Sequence, residues 1–263
     1  MTQRIIYTLF LIVSITFATY AQVNQWKGKK CAVVLTYDDA LNVHLDNAIP
    51  LLDSLGLKAT FYLSAYFPGC KDRLTDWKKA AEAGHELGNH TLFHPCNGKG
   101  PGRSWVSAER DLSTYSVSRM LDEIRMTNVF LQSLDGKTER SFAYPCGDMH
   151  AGAVSYHDKI HDDFVSARGV QSEMIPDDQI DIFNVGSYMI NGETGENLVS
   201  LVDEAIKNNR LLVFLFHGVG GEHDLNVGLK EHAQLLHYLK AHEDEIWIAP
   251  FAEVTSHIKN HKK

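Results

Sequence analysis

Short apolar runs alternate with longer amphipathic stretches along most of this chain. Residues 31–36, Cys-Ala-Val-Val-Leu-Thr, predict a buried strand, and 43–55 carries apolar positions at helical spacing until Gly56 stops it. The same alternation continues. Further strands are predicted at 58–63, 85–89, 141–144, 164–167, 182–185, 210–216 and 246–249. Helices are predicted at 74–83, 107–134, 195–208 and 227–241, with Gly84 and Asp135-Gly136 as terminators. Short apolar runs separated by longer periodic ones indicate parallel β/α units. No repeat, low-complexity tract or linker divides them, so one α/β domain is the simplest account. About seven such units without a Gly-x-Gly-x-x-Gly turn favour a (β/α) barrel over a dinucleotide-binding sheet.

The N-terminus breaks the pattern. Arg4 precedes an apolar stretch at 5–17, and Ala18-Thr19-Tyr20-Ala21 places small residues three back and one back from a break before Gln22. That layout predicts a cleaved signal peptide at 1–21, a single domain at 22–263, and a secreted or periplasmic protein. The apolar run is short for a bilayer span, so no stable membrane anchor is expected after cleavage, an uncleaved anchor being the alternative. Export makes disulfides possible. Among Cys31, Cys70, Cys96 and Cys146 at most one bridge is expected, with Cys70 and Cys96 favoured by proximity in the chain. The absence of Cys-x-x-Cys argues against a thiolate zinc knuckle.

Charge narrows the partners. The 263 residues carry 25 Lys+Arg against 33 Asp+Glu, a net charge of −8, which disfavours nucleic acid as a partner. The 14 histidines point the other way, towards metal binding or proton transfer. In a β/α barrel such chemistry gathers at the C-terminal ends of strands.

Four strand ends carry suitable residues. The first ends in Tyr37-Asp38-Asp39, two carboxylates that need a cation or hydrogen bonds after so apolar a strand, unless one of them caps the next helix. The third ends in His90-Thr-Leu-Phe-His94, whose spacing lets two imidazoles meet one metal from a helical turn. His157/His161 and His257/His261 share that spacing but lie among charged residues, which reads as solvated helix surface. Tyr144-Pro145-Cys146-Gly147 forms either a plain turn or one that aims N–H groups at a substrate oxygen. Leu215-Phe216-His217 ends the most apolar strand, with His217 either a core residue or a catalyst. One carboxylate and two histidines on a metal, beside a spare carboxylate and a spare histidine, suit metal-assisted hydrolysis. Asn89-His90-Thr91 also matches a glycosylation sequon, discounted because a glycan would sit on this site.

In this order the motifs resemble those of the NodB-homology polysaccharide deacetylases, carbohydrate esterase family 4, over roughly residues 30–254. The resemblance implies a distorted (β/α) barrel and removal of O- or N-linked acetyl groups from a polymer such as acetylxylan, chitin or peptidoglycan. It assigns Asp39, His90 and His94 to a divalent metal, most often Zn2+, with Co2+ or Ni2+ in some members. It makes Asp38 the general base and His217 the general acid. The Cys146 N–H would hold the oxyanion beside Tyr144, and Leu215 would line the acetyl pocket. Two departures stand out. An arginine that steadies the base often occupies the position of Ala143, for which Arg168 is a possible substitute. The carboxylate that supports the catalytic histidine is not visible, leaving Asp177, Asp178 or Asp181 as candidates, and Trp105 or Tyr188 as sugar-stacking faces. The rival expectations are a non-catalytic carbohydrate-binding barrel and a metal-dependent amidohydrolase of small molecules.

Overall fold

A computed structural model describes residues 26–261; the signal-like segment at 1–21 lies outside them. Eight parallel strands form the main sheet: β1 (Cys31–Asp38), β2 (Thr60–Leu63), β3 (Glu86–Asn89), β4 (Ser141–Ala143), β5 (Ser166–Arg168), β6 (Tyr188–Met189), β7 (Leu211–Phe216) and β8 (Ile246–Ile248). Their order is β5-β4-β3-β2-β1-β7-β6. β8 pairs with the first half of β1, at Cys31 to Val33, and β2 with the second half, at Thr36 to Asp38. Backbone at 182–187 joins the two ends of this path. Val185 N–H donates to Ala167 O, and Gly169 N–H to Val185 O, before the chain enters β6. The result is the distorted (β/α) barrel of about seven parallel strands expected from the sequence, with this seam as its irregular side.

Among the described residues, six α-helices of six or more residues cover the strands: α1 (Ile49–Ser54), α2 (Leu74–Glu82), α3 (Val117–Asp135), α4 (Gly195–Asn208), α5 (Leu229–Ala241) and α6 (Phe251–His261). β1 is buried on both faces, which explains its unbroken apolar run. Cys31, Val33, Leu35 and Tyr37 join an outer cluster with Leu52, Leu198, Val202 and Leu235. Ala32 and Val34 join a second cluster with Tyr62, Val213, Trp247 and the buried face of α6. Because side chains alternate along a strand, the series 32, 34, 36 carries Asp38 to that second side.

Three predicted elements differ from what forms. The helix at 107–134 begins ten residues late. Asp111 Oδ1 accepts from the N–H groups of Gly98 and Ser113 and holds the preceding stretch in short 3-10 turns. Ser116 then caps α3 by accepting from Arg119 N–H, and Gly136 ends it at φ 72°. The helix at 43–55 opens with a π-helical turn, His44–Ala48, ahead of Pro50, whose missing N–H favours the first turn of α1. The strand at 182–185 is the seam, bent where Phe183 and Asn184 N–H groups fold back onto Asp181.

The disulfide expectation is corrected. Cys96 pairs with Cys146, while Cys31 and Cys70 are free and buried. Closeness in the chain was the wrong measure, because the loops after the adjacent strands β3 and β4 lie side by side. Among the described residues no helix is long and apolar enough to cross a membrane.

Candidate active site

The C-terminal ends of β1, β3, β4 and β7 surround a cavity of about 340 Å3, lined by Asp38, Asp39, His90, His94, Tyr144, Cys146, Leu215 and His217. All eight residues singled out in the sequence thus face one space. Asp39 at 79°, His94 at 54° and Cys146 at 55° stand at positive φ, as does Thr91 at 67° in the loop between the two histidines. Left-handed backbone costs a non-glycine residue about 1–2 kcal/mol, and three such residues share this rim.

His90 and His94 do not share a helical turn. They flank an irregular loop in which Asn89 Oδ1 accepts from Thr91 N–H and Thr91 Oγ1 accepts from His94 N–H. Asn89 is fully buried and donates to Ile124 O and Asn128 Oδ1, which leaves no room for a glycan there. His90 Nδ1–H donates to Ala143 O at 2.8 Å, so its Nε2 lone pair is free. That Nε2 lies 3.7 Å from Asp39 Oδ1, and His94 Nε2 lies 3.4 Å from the same oxygen.

Asp39 Oδ1 is buried and has no hydrogen-bond partner. Burial pushes both imidazoles down to about 4, so they are neutral lone-pair donors at pH 7. An orphaned carboxylate oxygen facing two neutral imidazole nitrogens, with one donor atom from each residue within 4.8 Å, fits a divalent cation.

Asp38 is held by Arg168, the substitute that the sequence offered for the arginine absent at 143. Arg168, fully buried on β5, donates from Nη2 to Asp38 Oδ2 and lies over the Tyr62 ring. Arg168 is paired in register with Ala143 across β4 and β5. Directly opposed residues share a sheet face, so the guanidinium occupies the space that a longer side chain at 143 would take. Burial works to raise the Asp38 carboxyl, but Arg168 and the neighbouring histidines outweigh it and hold the group below its ordinary value. Asp38 Oδ1 is buried without a partner, leaving that oxygen open for a proton.

His217 Nε2 lies 3.9 Å from Asp39 Oδ2. Its carbonyl accepts from His44 Nε2 at 2.7 Å, which anchors the backbone. Its Nδ1 is buried with no partner. Asp181 accepts instead from Phe183 N–H and Asp178 is exposed, so neither pairs with that nitrogen, and the side chain of the third candidate, Asp177, lies outside the described residues. Burial pushes His217 down to about 4. Tyr144 contributes wall rather than a polar head, since its hydroxyl is buried and donates to Phe183 O.

Arg103, His223 and Trp105 complete the cavity, and of these only Trp105 was singled out, as a sugar-stacking face. Arg103 pairs with Asp148 and donates to Cys146 O at 2.9 Å, clamping the Cys146 turn that the disulfide also ties to the His94 loop. His223 stacks on His217 with ring centroids 4.7 Å apart. Trp105 lines the mouth and is 63% exposed. The Gly-rich stretch 98–102 signalled a loop at Arg103 and Trp105, but nothing local to His223 marked it.

Comparison with known proteins agrees with this geometry. Residues 26–161, just over half of the chain, match the family model described as polysaccharide deacetylase. The chain is 24% identical over 118 residues to the peptidoglycan-N-acetylmuramic acid deacetylase PdaA of Bacillus subtilis, covering 44% of this chain and 38% of that protein. The curated relatives it matches are each matched over less than two fifths of their length. A Mycobacterium smegmatis crystal structure described as a polysaccharide deacetylase superposes with a TM-score of 0.62 at 14% identity, covering 90% of this chain and 92% of that one. A mutant of BA3943, a CE4-family pseudoenzyme, superposes with a TM-score of 0.53 at 21% identity, covering 86% of this chain and 67% of that one.

Proposed function

Because this chain belongs to the polysaccharide deacetylase family, we propose that it is a secreted, metal-dependent hydrolase that releases acetate from an acetylated carbohydrate polymer. The observation that carries this reading is the buried, unpartnered Asp39 Oδ1 facing His90 and His94 beside an Arg168-held Asp38. Asp39, His90 and His94 would hold the ion, with zinc favoured over cobalt or nickel by the mixed imidazole and carboxylate donors. When bound, such an ion supplies Lewis-acid activation of water and of the acetyl carbonyl.

The chain's own residues do the rest. Asp38, kept ionised by Arg168, accepts a proton from the attacking water at Oδ1. The Cys146 N–H, fixed by Arg103 and the disulfide, donates to the oxygen that gains charge. Leu215 packs against the acetyl methyl, and His217 delivers a proton to the departing group. With no carboxylate behind Nδ1, His217 forms a poorly stabilised imidazolium. That favours O-acetyl esters, because an alkoxide can leave with less proton transfer than an amine. Export is supported by the leader-like segment at 1–21 and by the Cys96–Cys146 bridge.

The test is acetate release from acetylxylan, acetylated chitooligosaccharides and peptidoglycan by purified protein, with and without a chelator. Chelator-sensitive release, fastest on esters, is expected. Full activity of metal-free Asp39→Ala would sink the reading. Glycan binding without release under any metal would move the chain to the non-catalytic class.

A further inference from the structure

The aromatic step formed by Tyr66 and Phe93 lies outside the metal-binding cavity but is joined to it. Phe93 directly precedes His94, and the Phe67 ring packs 5.9 Å from the His94 ring. Tyr66 N–H donates to Leu92 O at 3.0 Å, which fastens the loop after β2 to the histidine-bearing loop. The two rings meet edge to face, 5.1 Å apart, and Tyr66 is 47% exposed.

Two cations crowd this step. Lys71 Nζ lies 5.0 Å from the Tyr66 ring centre. The Arg110 guanidinium lies 5.2 Å from the same ring and 5.8 Å from that of Phe93. Several other exposed bases are paired, as in Lys27–Glu253, Lys30–Glu245, Arg73–Asp46 and Arg125–Asp163. Among the described residues neither Lys71 nor Arg110 has a carboxylate within ion-pair distance. What sets the two apart is that both lie over one aromatic pair, of which Tyr66 is exposed and Phe93 half-buried.

We propose that Tyr66, Phe93, Lys71 and Arg110 form a subsite for a carboxylate-bearing sugar of the polymer whose acetylated unit occupies the cavity. This rests on the deacetylase reading for the cavity and adds the class of polymer, an acidic polysaccharide. The part of the Tyr66 ring that the cations leave exposed offers apolar surface to the C–H groups of a pyranose. The guanidinium fork and the ammonium accept a carboxylate, the Arg in two-point geometry. A neutral glycan would use the rings and leave both charges unanswered. One carboxylate per subsite matches the two cations.

Calorimetric titration with tetragalacturonate and with xylotetraose separates these cases, because it reads binding without turnover. The wild-type chain should bind tetragalacturonate at least about tenfold more tightly in low salt, with the preference shrinking as salt rises. Lys71→Gln/Arg110→Gln should abolish the preference and leave xylotetraose binding unchanged, while Tyr66→Ala should weaken both. Arg110→Lys with Lys71 intact should keep most of it, which separates charge from folding damage. Equal affinity for the two oligosaccharides, no binding of tetragalacturonate, or an unchanged preference in the double variant would overturn the proposal. Binding as expected without acetate release from any substrate would overturn the deacetylase reading alone.

Discussion

Two histidine pairs share one spacing and meet different surroundings. His90/His94 and His157/His161 each bring two imidazoles and an aspartate oxygen within 4.8 Å. The first pair is enclosed. His90 has its far nitrogen bound to Ala143 O, and Asp39 Oδ1 waits without a partner. The second pair sits on a 3-10 turn, where His157 Nδ1 already bonds Asp158 at 2.8 Å and that aspartate is 88% exposed. His161 is stacked on Phe183 at 3.8 Å. A carboxylate that water can solvate has no need of an ion, whereas a buried unpartnered oxygen is costly without one. Spacing therefore nominates ligands, and enclosure selects among them.

The sharpest way to break this contrast is to remove a ligand from each side. Asp39→Ala should lower acetate release by about a thousandfold or more, the several kcal/mol that Lewis-acid activation contributes, and should lose bound metal by elemental analysis. His157→Ala/His161→Ala should leave both within about twofold. Comparable losses in the two variants would remove the distinction.

Arg168→Ala comes next in size. Without the guanidinium Asp38 loses the group that holds it low, so its acidity weakens and the base is ionised only at higher pH. Turnover at neutral pH should fall by about a hundredfold, and the acidic limb of the pH–rate profile should move upward. Ala143→Arg in that background should restore part of the rate, because the two positions are cross-strand neighbours. An unmoved acidic limb would contradict the role given to Arg168.

Stability should follow the buried histidines. Burial pushes His44 and His85 down to about 4 and His232 to about 3. Their folded values lie below the unfolded value of about 6.5, so the unfolded chain binds more protons between these limits. The stabilisation is present above about pH 6.5 and is lost as pH falls towards 4, on the order of a few kcal/mol per fully buried ring. Thermal melts should show the unfolding midpoint falling across that window. His232→Gln, which removes the imidazole bonded to the Tyr37 hydroxyl, should flatten the slope.

The smallest expected effect belongs to the bridge. Cys96→Ser/Cys146→Ser should cost about 2–4 kcal/mol of stability and more turnover than metal, since the Cys146 turn is loosened while Asp39 and His90 stay in place. Metal loss equal to that of Asp39→Ala would show that the bridge chiefly holds His94.

Much of this molecule could be read along the chain. The apolar run of β1 and the helical spacing of α4 are local patterns, and they predicted those elements nearly to the residue. Position at strand ends was enough to single out Asp38, Asp39, His90, His94 and His217, because a parallel barrel presents those ends on one face. Arg168 could be offered from the sequence only as a possible substitute for the arginine absent at 143. Its place depends on which residue of β5 lies opposite Ala143, a cross-strand register that no window of sequence contains. The Cys96–Cys146 pairing and the seam at 182–187 depend on strand order in the same way. So does the absence of a partner at His217 Nδ1, which only the surrounding packing reveals. By itself, then, the sequence determined the periodic elements and the chemical types at their ends. The tertiary structure alone decided which of those groups are buried, paired or left open, since burial and pairing come from contacts between distant segments.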